Sequence, residues 1–103
     1  MSASRPDPAR LEAVIHGYVQ GVGFRFHAAR AAARHGIVGW VANEARGTVH
    51  AVGEGSAVAL AAWLEELRSG PSGAHVSRVE EQWSAATNSF AAFSVRSGSH
   101  PGD

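Results

Sequence analysis

Positions 17 to 25 place three glycines, Gly17, Gly21 and Gly23, ahead of a single cation, Arg25. Glycine lets the main chain approach a ligand closely. It also permits the positive dihedrals that turn successive N–H groups inward as an anion nest. A guanidinium binds two phosphate oxygens at once, which an ammonium does less specifically. If a helix begins at this point, its unpaired first amides and its dipole add positive potential. Together a backbone nest within residues 17–25 and the Arg25 side chain make a complete phosphate cradle. It is not the nucleotide P-loop, because no Gly-Lys-Ser/Thr follows and no magnesium ligand stands nearby. Taken only as glycines before a helix, the same stretch also reads as an ordinary turn.

The surrounding elements can be read from periodicity. Leu11, Ala13 and Ile15 alternate with Glu12, Val14 and His16, which predicts a first strand over residues 11–16. Phe24, Ala28, Ala31 and His35 fall at helical spacing, and Gly36 suits a left-handed cap after them. Strands are expected over 37–43 and 48–54, with a tight connection at Glu44 to Gly47. Ser56 is a plausible N-cap for a second helix reaching Arg68, with Leu60, Trp63, Leu64 and Leu67 as its buried stripe. Strands over 76–83 and 90–96 complete the chain. The order β-α-β-β-α-β, with a short extra C-terminal strand, predicts an α+β, ferredoxin-like sandwich. Two helices should cover one face of a mostly antiparallel sheet.

Composition bounds the function. The chain has 103 residues and fits one domain, expected over residues 11–97 between flexible tails at 1–10 and 98–103. Nine basic and nine acidic side chains give zero formal net charge, which argues against broad nucleic-acid binding. A βαββαβ RNA-binding module also needs stacking aromatics on its middle strands, where His50 and Val52 stand instead. The absence of cysteine rules out disulfides, thiolate metal sites and cysteine nucleophiles. No signal-peptide pattern and no membrane-length apolar stretch are present, so a cytoplasmic, non-membrane protein is expected. His16, His27, His35, His50, His75 and His100 form no ligand box. They read as solvated surface residues, with His27 close enough to the cradle for a minor substrate role. No metal and no cofactor is expected. Trp40 reads as core or sheet face, with a place near a bound substrate as the alternative, and Trp63 as core. Val79, Glu81 and Trp83 read as the open face of the fourth strand, and the pair Glu80 and Glu81 as solvated charge.

The literal string narrows this further. Gly17 to Arg25 resembles the acylphosphatase signature G-x-V-Q-G-V-x-F-R. Further similarity runs through Gly39-Trp40-Val41-Ala42-Asn43, Gly47-Thr48-Val49, Glu54-Gly55, Gly70-Pro71 and the stretch from Phe90 to Arg96. The resemblance spans roughly residues 11–97. It implies metal-free hydrolysis of acyl phosphates to a carboxylate and inorganic phosphate. The backbone of residues 20–25 would then hold the phosphate, Arg25 would bind it, and Asn43 would position the attacking water. Two departures stand out: Ala28 where the family often has threonine, and Arg46 where it often has Asp or Asn before glycine. A non-catalytic phosphate-binding module is the alternative, but a pure binder has no use for Asn43. Related domains also begin larger carbamoyl-transfer maturation proteins. This chain ends just after its last strand and is expected to be a free-standing monomer.

Overall fold

The computed structural model describes residues 6–97. Its elements are β1 (Ala9–Tyr18), α1 (Phe24–His35), β2 (Val38–Asn43), β3 (Val49–Gly55), α2 (Ala57–Ser69), β4 (His75–Ala85) and β5 (Phe93–Arg96). The five strands lie in the order β4-β1-β3-β2-β5. All pairs are antiparallel except β2 with β5, which run parallel. This is the expected ferredoxin-like sandwich with one strand added beside β2.

Alternation decides which face the helices cover. Ala9, Leu11, Ala13 and Ile15 of β1 are all fully buried, as are Val41 of β2 and Val49 and Ala51 of β3. Phe24, Ala28, Ala31 and Ala32 of α1 and Leu60, Trp63, Leu64 and Leu67 of α2 close over them. Small alanines on α1 leave room for the Trp63 ring, whose Nε1 donates to the Ala28 carbonyl at 3.0 Å. That bond satisfies the indole's donor inside the core. Phe93 of β5 meets the same ring edge-on at 5.7 Å.

Several expectations are corrected. Residues 7–10, assigned to a flexible lead-in, are held in place. Asp7 Oδ1 accepts from the Ala57 amide, Pro8 O accepts from Ala86, and β1 already begins at Ala9. β5 starts at Phe93 rather than at residue 90; Phe90 instead lies under the Arg10 guanidinium at 5.7 Å. Val79, Glu81 and Trp83 do not lie on the open face of the sheet, because they pair with Ile15, Ala13 and Leu11 and so share the helix-covered face, where Glu81 itself stays exposed. Val79 and Trp83 pack against the core, and Glu81 forms an ion pair with Arg68 of α2. Since β4 is an edge strand only partly roofed by helix, a paired charge is tolerated there. The residues at 98–103 assigned to a tail, and His100, lie outside the described residues.

Glu54 is the one buried charge among the described residues. It sits on the face away from the helices, beneath the connection between β4 and β5. It accepts from Arg10, from the Thr87 amide and hydroxyl, and from the Asn88 amide, at 2.8–3.1 Å. Burial pushes its pKa up, but the bonds led by the Thr87 amide outweigh this and hold it at about 2, against 4.5. A group whose pKa is lowered on folding stabilises above its unfolded value, and that stabilisation is lost as pH falls towards the folded value. Glu54 should therefore contribute roughly 3 kcal/mol at neutral pH. This contribution should vanish between about pH 4.5 and 2. In acid titrations followed by denaturant unfolding, Glu54→Gln should be less stable than wild type at pH 7. The gap should close across that window.

Candidate active site

Strand β1 ends at Tyr18 and helix α1 begins at Phe24, so the intervening loop must reverse direction over very few residues. Gly17, expected to open the cradle, instead serves the strand. It sits at a bulge against β4, where a Cβ would run into the His75 carbonyl oxygen. The reversal itself falls to Gly21 at φ 75° and Gly23 at φ 78°, both left-handed, where glycine alone carries no steric cost. Gly23 is also the N-cap residue of α1, with no side-chain cap. Among the described residues, no turn or cap bond takes the amides of Gly21, Val22 or Gly23. The first helical amides likewise lack intrahelical acceptors. These donors collect at the positive end of a twelve-residue helix.

The loop borders a cavity of about 110 Å³ lined by Val19, Gly21, Gly23, Phe24, Arg25, Phe26 and Asn43. Asn43 reaches it by strand parity. It follows the buried Val41 by two residues and closes β2, so it lies on the helix-covered face beside the start of α1. Among the described residues, its side-chain amide carries no hydrogen bond. Arg25 is half-buried, and its Nη1 donates to the Arg96 carbonyl of β5 at 2.6 Å. That single bond holds one edge of the guanidinium and leaves other donors of the fork available.

The structure thus brings together Gly21, Gly23, Phe24, Arg25 and Asn43 of the residues singled out by sequence. Val22 instead packs against the core. The side chain of Gln20 turns away to the connection between β2 and β3, donating to the carbonyls of Glu44 at 2.7 Å and Thr48 at 2.9 Å. Nothing in the local sequence signals this staple, since its acceptors are backbone groups more than twenty residues on. Val19 also borders the cavity, as does the exposed Phe26, which no sequence feature marks.

Other expectations change with the geometry. His27 does not line the cavity; its Nε2 lies 3.1 Å from the Glu66 carbonyl of α2. Of the histidines read as solvated, His16 contacts Glu80, His35 contacts Glu66, and His50 contacts Glu12 and Glu44. Trp40 lies on the face away from the helices, with Arg96 stacked on its ring at 4.4 Å and His50 edge-on at 4.9 Å. It therefore takes the sheet-face role rather than one beside the cavity. Ala28 is fully buried under Trp63, so a hydroxyl at that position is replaced by helix packing. Arg46 is exposed in the turn and does not border the cavity.

The fold and loop together define a ferredoxin-like sandwich with a cavity, bordered by Arg25 and Asn43, where its first strand meets its first helix. The family model for acylphosphatase matches residues 11–95. The acylphosphatase of Azorhizobium caulinodans is 48% identical over 85 residues, covering 82% of this chain and 91% of that protein. The acylphosphatase of Nocardia farcinica is 41% identical over 90 residues, covering 87% and 90%. The crystal structure of acylphosphatase from Bacillus subtilis matches with a TM-score of 0.83 at 28% identity, over 85% of this chain and 98% of that one. The chain belongs to the acylphosphatase family, whose members hydrolyse acyl phosphates.

Because Gln20 ties the cradle loop to the segment that follows Asn43, it should matter for stability apart from any ligand. Gln20→Ala removes two hydrogen bonds to carbonyls and should cost about 1–3 kcal/mol in denaturant unfolding. Wild-type stability in that variant would show that the two bonds contribute nothing.

Proposed function

We propose that the cavity at the start of α1 is the catalytic site of a metal-independent acylphosphatase, acting as a cytoplasmic monomer on small acyl phosphates. The observation that carries this reading is a single cavity bordered by the positive helix terminus, a guanidinium and an unengaged amide. The backbone donors of residues 20–25 and the Arg25 guanidinium would take the phosphoryl oxygens. The Asn43 amide would hold the attacking water in line with the leaving group. Inorganic phosphate, which shares those oxygens, would bind the same site as product.

The reaction asks little more of the protein. Water attacks phosphorus, the bond from phosphorus to the acyl oxygen breaks, and the carboxylate departs with the electron pair. One proton of the water passes to a phosphate oxygen or to solvent. A carboxylic acid, which ordinarily titrates near pH ~4.3, leaves as a stable anion near neutrality, so no general acid is needed. Phosphoryl transfer is catalysed chiefly by position and by charge at the equatorial oxygens. Arg25 and the loop amides meet the second demand, and Asn43 meets the first. A phosphate monoester, whose alkoxide leaves poorly, gains much less from such a site.

Benzoyl phosphate hydrolysis in EDTA should proceed at the untreated rate. Arg25→Ala should lower kcat/KM by roughly a hundredfold to a thousandfold, the scale of a lost oxyanion donor. Asn43→Ala should lower kcat about tenfold or more through loss of water position, with little change in inhibition by inorganic phosphate. EDTA-sensitive turnover of a sugar phosphate at comparable rates would contradict the reading, as would normal turnover in Asn43→Ala.

A further inference from the structure

Behind Asn43, on the sheet face that no helix covers, one side chain grips the segment from the other side. The His50 imidazole of β3 lies between two carboxylates. Its Nε2 is 2.7 Å from Glu12 Oε2, and its Nδ1 is 3.1 Å from Glu44 Oε2. Ionised carboxylates only accept hydrogen bonds, so both contacts are hydrogen bonds at once only when both ring nitrogens carry a proton.

Glu44 is the residue directly after Asn43, and nearly every polar group it has is committed. Its carboxylate also accepts from Thr48 Oγ1 at 2.9 Å, and its amide donates to the Thr48 carbonyl at 2.9 Å. Its carbonyl accepts the Gln20 amide from the cradle loop. Glu44 is thus the knot between the phosphate loop on one side of the sheet and His50 on the other. On the same sheet face, beyond Val14, His16 of β1 and Arg78 and Glu80 of β4 form a neighbouring charged group. Val14 of β1 and Ala42 of β2 are its register partners, and Trp40 meets it edge-on, carrying Arg96 of β5 on its ring.

We infer that His50 is a positioning residue for the hydrolytic step. Its doubly donating ring fixes Glu44, and through it the place of Asn43 relative to the phosphate loop, in a manner that depends on its proton. The inference rests on the reading of Asn43 as the water-positioning residue. When His50 loses its proton, one ring nitrogen becomes a lone pair facing a carboxylate. The bond to Glu12 or to Glu44 then turns repulsive, and the bridge from β1 through His50 to the end of β2 is broken. Turnover should fall as pH rises through the histidine range, with little change in substrate affinity, because the phosphate cradle itself is not touched.

The test is benzoyl phosphate hydrolysis by wild type, His50→Gln and His50→Arg between about pH 5 and 8, where histidine titrates. Glutamine can donate to only one carboxylate at a time, whereas arginine is a permanent cation with donors for both. The expected result has three parts. Wild-type kcat falls towards alkaline pH. His50→Gln lowers kcat about tenfold with KM within about twofold and loses that pH dependence. His50→Arg restores kcat and holds it level across the range. A His50→Gln enzyme with wild-type kcat and pH profile overturns the inference. So does one that loses activity while its remaining turnover keeps the wild-type profile, since that marks a structural role alone. Running Arg25→Ala and Asn43→Ala beside them separates the two failures. If these abolish turnover and the His50 variants behave as wild type, only the role of His50 falls. If these also turn over normally, the reading of the site falls with it.

Discussion

The short connection from β1 to α1 is the constraint on which the site depends. A strand buried on its helix side by Ala9, Leu11, Ala13 and Ile15 must hand over to a helix anchored by Phe24 on that same side. The loop can turn tightly enough only because Gly21 and Gly23 accept left-handed dihedrals. Among the described residues, no turn or cap bond takes the amides of Gly21, Val22 or Gly23, and the first helical amides lack intrahelical acceptors. The helix dipole then sets their sign. A cluster of free donors at the positive helix end is thus a by-product of joining these two elements in this way, and Arg25 adds a guanidinium beside them.

Everything else near the cavity serves to bring a second segment to that loop. The strand order sets β3 between β1 and β2, so Asn43 arrives from the far side of a neighbouring strand. Parity places it on the helix-covered face, and Gln20 binds the connection that follows it. On the opposite edge, β5 adds in parallel to β2 and supplies the Arg96 carbonyl that holds Arg25. The loop therefore meets groups from β2 and β5 as well as its own helix. Stability elsewhere is managed separately. Glu54 and its bonds to Thr87 and Asn88 fix the connection into β5 at the far end of β3 from the Asn43 connection.

Much of this was legible in the sequence because it is local. Helix α1 has the predicted limits, Ser56 caps α2 as expected, and the stripe Leu60, Trp63, Leu64 and Leu67 is buried. The loop and Asn43 stood out through the resemblance of their motifs to a family. What could not be read depends on register between distant segments. The Gln20 staple binds backbone groups that carry no side-chain signal, and the Glu54 anchor and the contact of His50 with Glu12 join residues more than thirty positions apart. The inversion of faces on β4 has a different cause. Arg78, Glu80 and Gln82 on one side and Glu81 on the other blur its alternation, and only the pairing with β1 shows that Val79 and Trp83 point towards the helices.

The central claim is that the cavity presents a phosphoryl group to a water molecule, rather than an acyl carbon to a nucleophile. Hydrolysis of benzoyl phosphate in water labelled with heavy oxygen tests this most directly, with mass analysis of both products. If the loop and Arg25 hold the phosphate while Asn43 aims the water at phosphorus, the label enters inorganic phosphate and the benzoate stays unlabelled. Label in the benzoate would mean that water attacks the carbonyl carbon, and would contradict the account.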